Sequence, residues 1–198
     1  ASANKGLQLS ASTTAPVITS EPVSIDFTDL TLPSGVETEI TPAMINYQGK
    51  NHIALVSTDG DIYIGIEDEQ GGYSFNKSVG AVNATSSPAL AVLNNVLYLC
   101  YNQQGVIMLG QNTDPVFGQS ENMQAGINFT FTNPNIGSST IDSTQAPALI
   151  AFNGAVFLSV IDSTQQLLVG DSASNPTGVI LNLTPATFQN DSGAVTEL

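Results

Sequence analysis

The sequence predicts an all-β domain assembled from a repeated unit of short antiparallel strands, and three observations carry that expectation. Apolar runs of about four to eight residues alternate with turns rich in Asn, Gln, Asp and Gly, which is the pattern of hairpins. One such stretch recurs: Ser87–Gly110 (SPALAVLNNVLYLCYNQQGVIMLG) is echoed by Thr41–Gly65 (TPAMINYQGKNHIALVSTDGDIYIG) and by Ala146–Gly170 (APALIAFNGAVFLSVIDSTQQLLVG). No long stretch keeps a period near 3.6 residues, so no helix competes.

Each repeat reads as three strands and then an outer fourth. In the best-defined copy, Pro88–Leu93 turns at Asn94-Asn95 into Val96–Tyr101, and Val106–Leu109 follows the polar turn Asn102–Gly105. Pro42, Pro88 and Pro147 open the first strands, where a missing N–H does least harm. Ala43, Ala89 and Ala148 follow them and are small enough for a crowded central axis. The second strands align as Ile53-Ala54-Leu55, Leu97-Tyr98-Leu99 and Val156-Phe157-Leu158, with aliphatic residues on the face that packs sheet on sheet. Gly65, Gly110 and Gly170 end the third strands, where a small residue lets a neighbour approach closely. The outer strands are expected at Tyr73–Lys77, Ile127–Thr132 and Val179–Leu183.

Ahead of the first full repeat, residues 4–10 (NKGLQLS) read as another third strand, with Leu9-Ser10 standing where Ile64-Gly65 stands later. A Ser/Thr/Pro-rich loop, Ser12–Glu21, leads to Pro22–Thr28, in which Val23, Ile25 and Phe27 alternate as in a half-buried outer strand. Ser10, Gly65, Gly110 and Gly170 are spaced by 55, 45 and 60 residues. Such periods belong to propeller blades of about four strands. The expectation is a single domain over residues 1–198, a small β-propeller of about four blades of four antiparallel strands. Its repeats are residues 41–84, 85–143 and 144–184, with a composite blade from 1–40 and 185–198.

The tail supports two alignments. Ser192–Leu198 resembles Ser34–Ile40, which precedes Thr41-Pro42-Ala43, so another blade would begin after it. Alternatively Thr184-Pro185-Ala186 matches Thr41-Pro42-Ala43. Ala186–Phe188 and Ala194–Glu197 then become inner strands that pair with the N-terminal strands and close the ring. The second alignment leaves no open sheet edge and is preferred on that ground. A homo-oligomer that completes the ring between chains is the alternative.

Composition narrows the function. Seventeen Asp and Glu stand against 3 Lys and Arg, a net charge of −14, which repels nucleic-acid backbones and anionic membrane surfaces. No apolar run approaches the length of a membrane span. The N-terminus lacks a basic, apolar leader, as in a mature secreted form or a protein that is not exported. The single cysteine, Cys100, excludes an internal disulfide framework.

Catalytic constellations are not visible. His52 is the single histidine, no Gly-x-Ser-x-Gly elbow surrounds a serine, and no Cys/His set has metal-ligand spacing. Cys100 reads as a small buried residue. Asp59 and Asp61 in Thr58-Asp59-Gly60-Asp61 look like the start of a calcium loop, but Ile62-Tyr63-Ile64 interrupts it, and a hairpin turn is the better reading. No cofactor is expected.

The cluster Glu67-Asp68-Glu69-Gln70-Gly71-Gly72-Tyr73-Ser74-Phe75 resembles the Asp-box turn of sialidase-like propellers, with Phe75 where Trp is common. In that family the turn is structural. The repeated Pro-Ala, apolar hairpin and glycine-ended third strand are similar to blades of bacterial and fungal β-propeller lectins, over most of residues 41–184. That resemblance implies sugar sites between adjacent blades, with aromatic rings stacking on sugars and polar side chains fixing hydroxyls. The chain has no Trp, so tyrosines would have to serve. Tyr63, Tyr73 and Tyr101 lie at strand ends or beside turns, and with Asn102, Glu67 and Asp68 they form the candidate ligand set. The expected function is a non-enzymatic, carbohydrate-binding lectin whose partners are glycans or glycoproteins. The alternative is a structural or protein-interaction propeller within a larger assembly.

Overall fold

The computed structural model describes residues 8–11, 26–78, 80–112, 128–173, 182–189 and 195–197. The loop at 12–21, the start of the first expected outer strand at 22–25, Ile127 and residues 179–181 lie outside them. Among the described residues every regular element is a strand.

Three four-stranded antiparallel meanders make up most of the fold. The first sheet is β3 (Ala43–Tyr47), β4 (Lys50–Val56), β5 (Ile62–Glu67) and β6 (Tyr73–Lys77). The second is β7 (Ala89–Leu93), β8 (Val96–Gln103), β9 (Val106–Asn112) and β10 (Phe129–Thr132), and the third is β11 (Ala148–Phe152), β12 (Ala155–Ile161), β13 (Leu167–Asp171) and β14 (Thr184–Pro185). Two hairpins stand as separate two-stranded sheets: β1 (Gln8–Ala11) with β2 (Asp26–Asp29), and β15 (Thr187–Gln189) with β16 (Val195–Glu197). No ladder joins these hairpins to each other among the described residues.

The turns explain why the strands repeat in register. Gln48-Gly49, Asn94-Asn95 and Asn153-Gly154 each place both residues at positive φ. That is the type I′ geometry whose twist matches a two-residue hairpin, and Asn and Gly accept it most readily. The three hairpins are therefore superimposable. Tyr47, Leu93 and Phe152 precede the turn, and Lys50, Val96 and Ala155 follow it. This register corrects the expected second-strand alignment. Ile53 corresponds to Leu99 and Leu158, because these three pair with Gly65, Gly110 and Gly170. The expected match of Ile53 to Leu97 is two residues off, and a slip of two keeps every side chain on its face.

The recurrent glycine admits a close neighbour in all three sheets. Gly65 lies opposite Phe75 and Gly110 opposite Phe131. A Cβ on either glycine would stand 2.5 Å from that ring. At Gly170 the neighbour is backbone, with the Asn182 carbonyl 2.5 Å from where a Cβ would sit. The N-terminal hairpin repeats the register, setting Ser10 opposite Phe27.

The third sheet overturns one sequence alignment. Thr184-Pro185 does not open an inner strand; it is the outer strand β14, pairing Val169 with Thr184 and Leu168 with Pro185. The expected outer strand Val179–Leu183 accordingly lies later in the chain. Ala186 N–H donates to the Leu167 carbonyl as Ser78 N–H does to that of Ile62, so Ala186 stands where Ser78 stands. Proline is tolerated at such an edge. The residues joining β6 to β7 are 78–88 and those joining β10 to β11 are 133–147, whereas only Ala186 separates β14 from β15. One residue spans at most about 7 Å. It cannot carry the chain from an outer to an inner strand, which removes the basis for closure through the tail.

The sheets stack in chain order, with β7 touching both β3 and β11. Calling the glycine-bearing face of each sheet its front, the second sheet lays its front on the back of the first. Leu90, Leu97, Leu99, Tyr101 and Phe129 meet Ala54, Val56, Ile62, Ile64 and Ile66 there. Between the second and third sheets, Ala91, Tyr98, Cys100, Ile107 and Leu109 meet Val156, Leu158, Val160 and Leu168. Each buried Leu or Ile in these layers is worth about 2 kcal/mol.

His52 is a buried member of the first interface, edge-on to Tyr47 at 5.4 Å, with Nδ1 3.1 Å from the Lys50 carbonyl. Burial pushes its pKa below the ordinary 6.5, against the opposing effect of the Lys50 carbonyl. The unfolded chain then binds a proton that the folded chain refuses, so stability is full above pH 6.5 and falls as pH drops below it. Denaturant melts between pH 5 and 7 should show this slope, above most carboxylate titration. His52→Gln should flatten it; an unchanged slope in that variant would show that the imidazole is not its source.

Candidate functional site

The structure divides the candidate residues into two groups. Tyr63, Glu67 and Tyr73 share the front of the first sheet, because Tyr63 pairs with Lys77, Gly65 with Phe75 and Glu67 with Tyr73. Their side chains are half-buried, and Lys77 at one end is exposed. The floor beneath is aliphatic, with Ile53 1% and Leu55 0% exposed on β4. The Tyr73 and Phe75 rings lie 6.3 Å apart and tilted by 31°. Phe75 can sit across the sheet because Gly65 offers no side chain.

Polar groups border the rings at the β5–β6 end. Glu67 accepts a hydrogen bond from the Asn51 N–H at 3.2 Å. Tyr73 lies against the Asn51 side chain and the Glu67 carboxylate. Its pKa is raised first by burial and then by the Glu67 charge, with Asn51 acting the other way. The phenol therefore stays protonated near neutrality. Asp68 is committed to its own turn: Oδ1 accepts from the N–H of Gln70 at 2.9 Å and of Gly72 at 2.7 Å. A Cβ at Gly72 would come within 2.7 Å of Asp68 Oδ2, so any larger residue there must push that carboxylate aside. The acidic cluster is a structural corner with one carboxylate, Glu67, turned to the aromatic face.

Tyr101 and Asn102 lie elsewhere, both 0% exposed inside the second sheet. The Tyr101 ring packs edge-on to Phe131 at 5.6 Å, and burial raises its pKa. Asn102 is a clamp. Its Nδ2 donates to the carbonyls of Asp142 at 2.8 Å and Gln145 at 2.9 Å, and its Oδ1 accepts from Gly105 N–H at 2.7 Å. The expected turn at Asn102–Gly105 is shorter than the sequence suggested, because β8 runs on to Gln103, Asn102 pairs with Ile107, and the turn is Gln104-Gly105. Cys100 is fully buried and burial pushes its thiol far up, so it holds its proton.

Asp59 and Asp61 form a hairpin turn. Gly60 has φ +80°, and its N–H donates to the Ser57 carbonyl at 2.9 Å. The Asp61 carboxylate is held by Lys77 Nζ at 2.6 Å. Among the described residues no group of three or more His, Cys, Asp or Glu is placed to hold a metal ion. The sequence reading missed Asn51 and Lys77 as members of the front. Counting outward from the Gln48-Gly49 turn and the Gly65–Phe75 pair would have found both.

No protein-family model matches this chain, and no curated protein matches it.

Proposed function

We propose that this chain is a non-enzymatic, carbohydrate-binding β-propeller whose binding surface is the front of its first sheet. The observation that carries the reading is the convergence there of Tyr63, Phe75 and Tyr73 with Glu67 and Asn51. Aromatic faces stack on the apolar face of a pyranose, while a carboxylate and an amide take its hydroxyls. The stacked sheets are read as successive blades, with β1–β2 as the outer half of the blade before the first sheet. Front-on-back packing and the Ser10–Phe27 register support that reading. About four blades of four strands remain its architecture, and the sugar would lie at a junction between blades.

A glycan array probed with labelled protein, in calcium and again in chelator, tests the function. Binding confined to related sugars is the expected result, and Tyr73→Ala should weaken it about tenfold through loss of the ring. A blank array in both conditions sinks the reading; binding lost only in chelator would redirect attention to Asp59 and Asp61. A second reading, a structural or protein-interaction propeller, is favoured by the open apolar face of the third sheet.

A further inference from the structure

The third sheet has a back face unlike those of the other two. Hairpin register matches the three position by position. Phe157 stands where His52 and Tyr98 stand, Ile161 where Val56 and Asn102 stand, and Val169 where Ile64 and Leu109 stand. The residues of the first two sheets at these positions are at most 8% exposed, whereas Phe157, Ile161 and Val169 are 37%, 37% and 38% exposed. On the innermost strands Ile150 is 60% exposed where Ala91 is 2%, and Phe152 is 68% exposed where Tyr47 is 4%. Among the described residues eight large hydrophobic side chains are exposed, and five of them share this one face. A groove of about 460 Å³ lies over the face, and Ser159 is the one polar side chain lining it. A sheet face meant for water alternates to polar residues.

A pleated apolar face of this kind is complementary to a second sheet packed about 10 Å away. The other faces of the three four-stranded sheets are closed. The backs of the first and second sheets lie against the fronts of the second and third. On the front of the first sheet Ile53 and Leu55 are 1% and 0% exposed. The one open four-stranded face that a second copy can bring is the same back. Charge agrees with that match: β11–β14 hold no Lys or Arg, and Asp171 at the end of β13 is their one charged residue. The face offers an ionic partner almost nothing to pair with, whereas two such faces can meet without burying a row of like charges.

We propose that this chain pairs with a second copy of itself, the backs of the two third sheets meeting face to face about a two-fold axis. Such a contact uses one patch twice and closes on itself, so it stops at the dimer. The inference goes beyond the glycan reading and does not depend on it, since the pair leaves the front of the first sheet unused. A whole aromatic side chain presents roughly 200 Å², so the five exposed side chains offer about 500 Å² on each copy. Pairing then buries about 1,000 Å², at the threshold of a specific interface, and the dimer is expected to be weak and reversible. The net charge of −14 on each copy opposes association, so salt should strengthen it.

Sedimentation of the full chain across the micromolar range, at low and high salt, tests this. The expected result is a concentration-dependent dimer, favoured by salt, whose dissociation constant rises about tenfold or more in Phe152→Asp and in Ile150→Asp. Both residues are more than half exposed, so circular dichroism should show each variant folded. Val106→Asp is the control, because Val106 is 44% exposed at the start of β9, away from this face, and it should pair as wild type does. Mixing Phe152→Asp with wild type should give a hetero-pair weaker than the wild-type pair, since each copy must supply the same patch. A hetero-pair of wild-type strength would overturn the symmetric geometry, and equal loss in Val106→Asp would overturn the assignment to this face. A wild-type monomer under every condition would overturn the proposal. If that monomer bound an apolar dye and Phe152→Asp did not, the face would belong to a partner of another kind.

Discussion

Asn102→Asp should lower the melting temperature by about 10 °C, corresponding to about 3–5 kcal/mol for a chain of this size. The side chain is completely buried and joins the second sheet to residues 142–145, which lead into the third. Two donors on Nδ2 meet two carbonyl oxygens, and Oδ1 receives the Gly105 N–H. An aspartate keeps the size and the Oδ1 acceptor but aims its second oxygen at two carbonyls. It must remain charged and unpaired there or bind a proton, and both cost free energy. Asn102→Leu should cost less, about 2–3 kcal/mol, since it strands the same carbonyls without adding a charge. Thermal unfolding of both variants beside wild type gives the ranking. Wild-type melting in Asn102→Asp would mean that the clamp bears no load, and would return Asn102 to consideration as a ligand group.

That residue also marks where the sequence stopped being legible. The strand pattern was readable because turns such as Asn94-Asn95 declare themselves, and because Gly65, Gly110 and Gly170 recur at one place in each hairpin. β6, Tyr73–Lys77, occupies the span its composition indicated. Faces were readable too, since alternation survives a slip of two residues, which is why the misaligned Ile53 still landed among core positions. Depth was not. Asn102 follows the apolar run that ends at Tyr101 and precedes Gln-Gln-Gly, so it resembles a turn, and Tyr101 resembles a strand end beside one. Asn102 became interior because β8 continues two residues further than its apolar run does, and Tyr101 because its sheet packs against the first. Short strings misled in the same way: Thr184-Pro185-Ala186 copies Thr41-Pro42-Ala43 letter by letter, yet pairing with β13 makes it an edge. The candidate surface was half legible. Tyr63, Glu67 and Tyr73 were found by type, whereas their common face depended on cross-strand register.

Gly170→Ala should be the most damaging of three identical substitutions. At each of Gly65, Gly110 and Gly170 a new Cβ would stand 2.5 Å from its nearest heavy atom. What differs is whether that atom can move. Over Gly65 lies the Phe75 ring, half-buried on the front of the first sheet, which can swing outward at about 1 kcal/mol. Over Gly110 lies Phe131, hemmed in by Tyr101 at 5.6 Å and Phe129 at 5.9 Å, so the ring shifts against packed neighbours at about 2 kcal/mol. Over Gly170 lie the Asn182 carbonyl and, at 3.4 Å, Leu183 Cα. Relieving that clash means moving the chain that forms β14, including Leu183, itself buried in the core between second and third sheets. The expected cost is about 3 kcal/mol or more, with β14 detached from β13. Hydrogen exchange gives the local readout, since the Ala186 N–H bonded to the Leu167 carbonyl should lose protection in Gly170→Ala and keep it in Gly65→Ala. Equal destabilisation of all three variants would mean that the glycines matter for backbone freedom alone. The graded order would show that the repeat conserves a space and fills it differently in each sheet, twice with a ring and once with the chain itself.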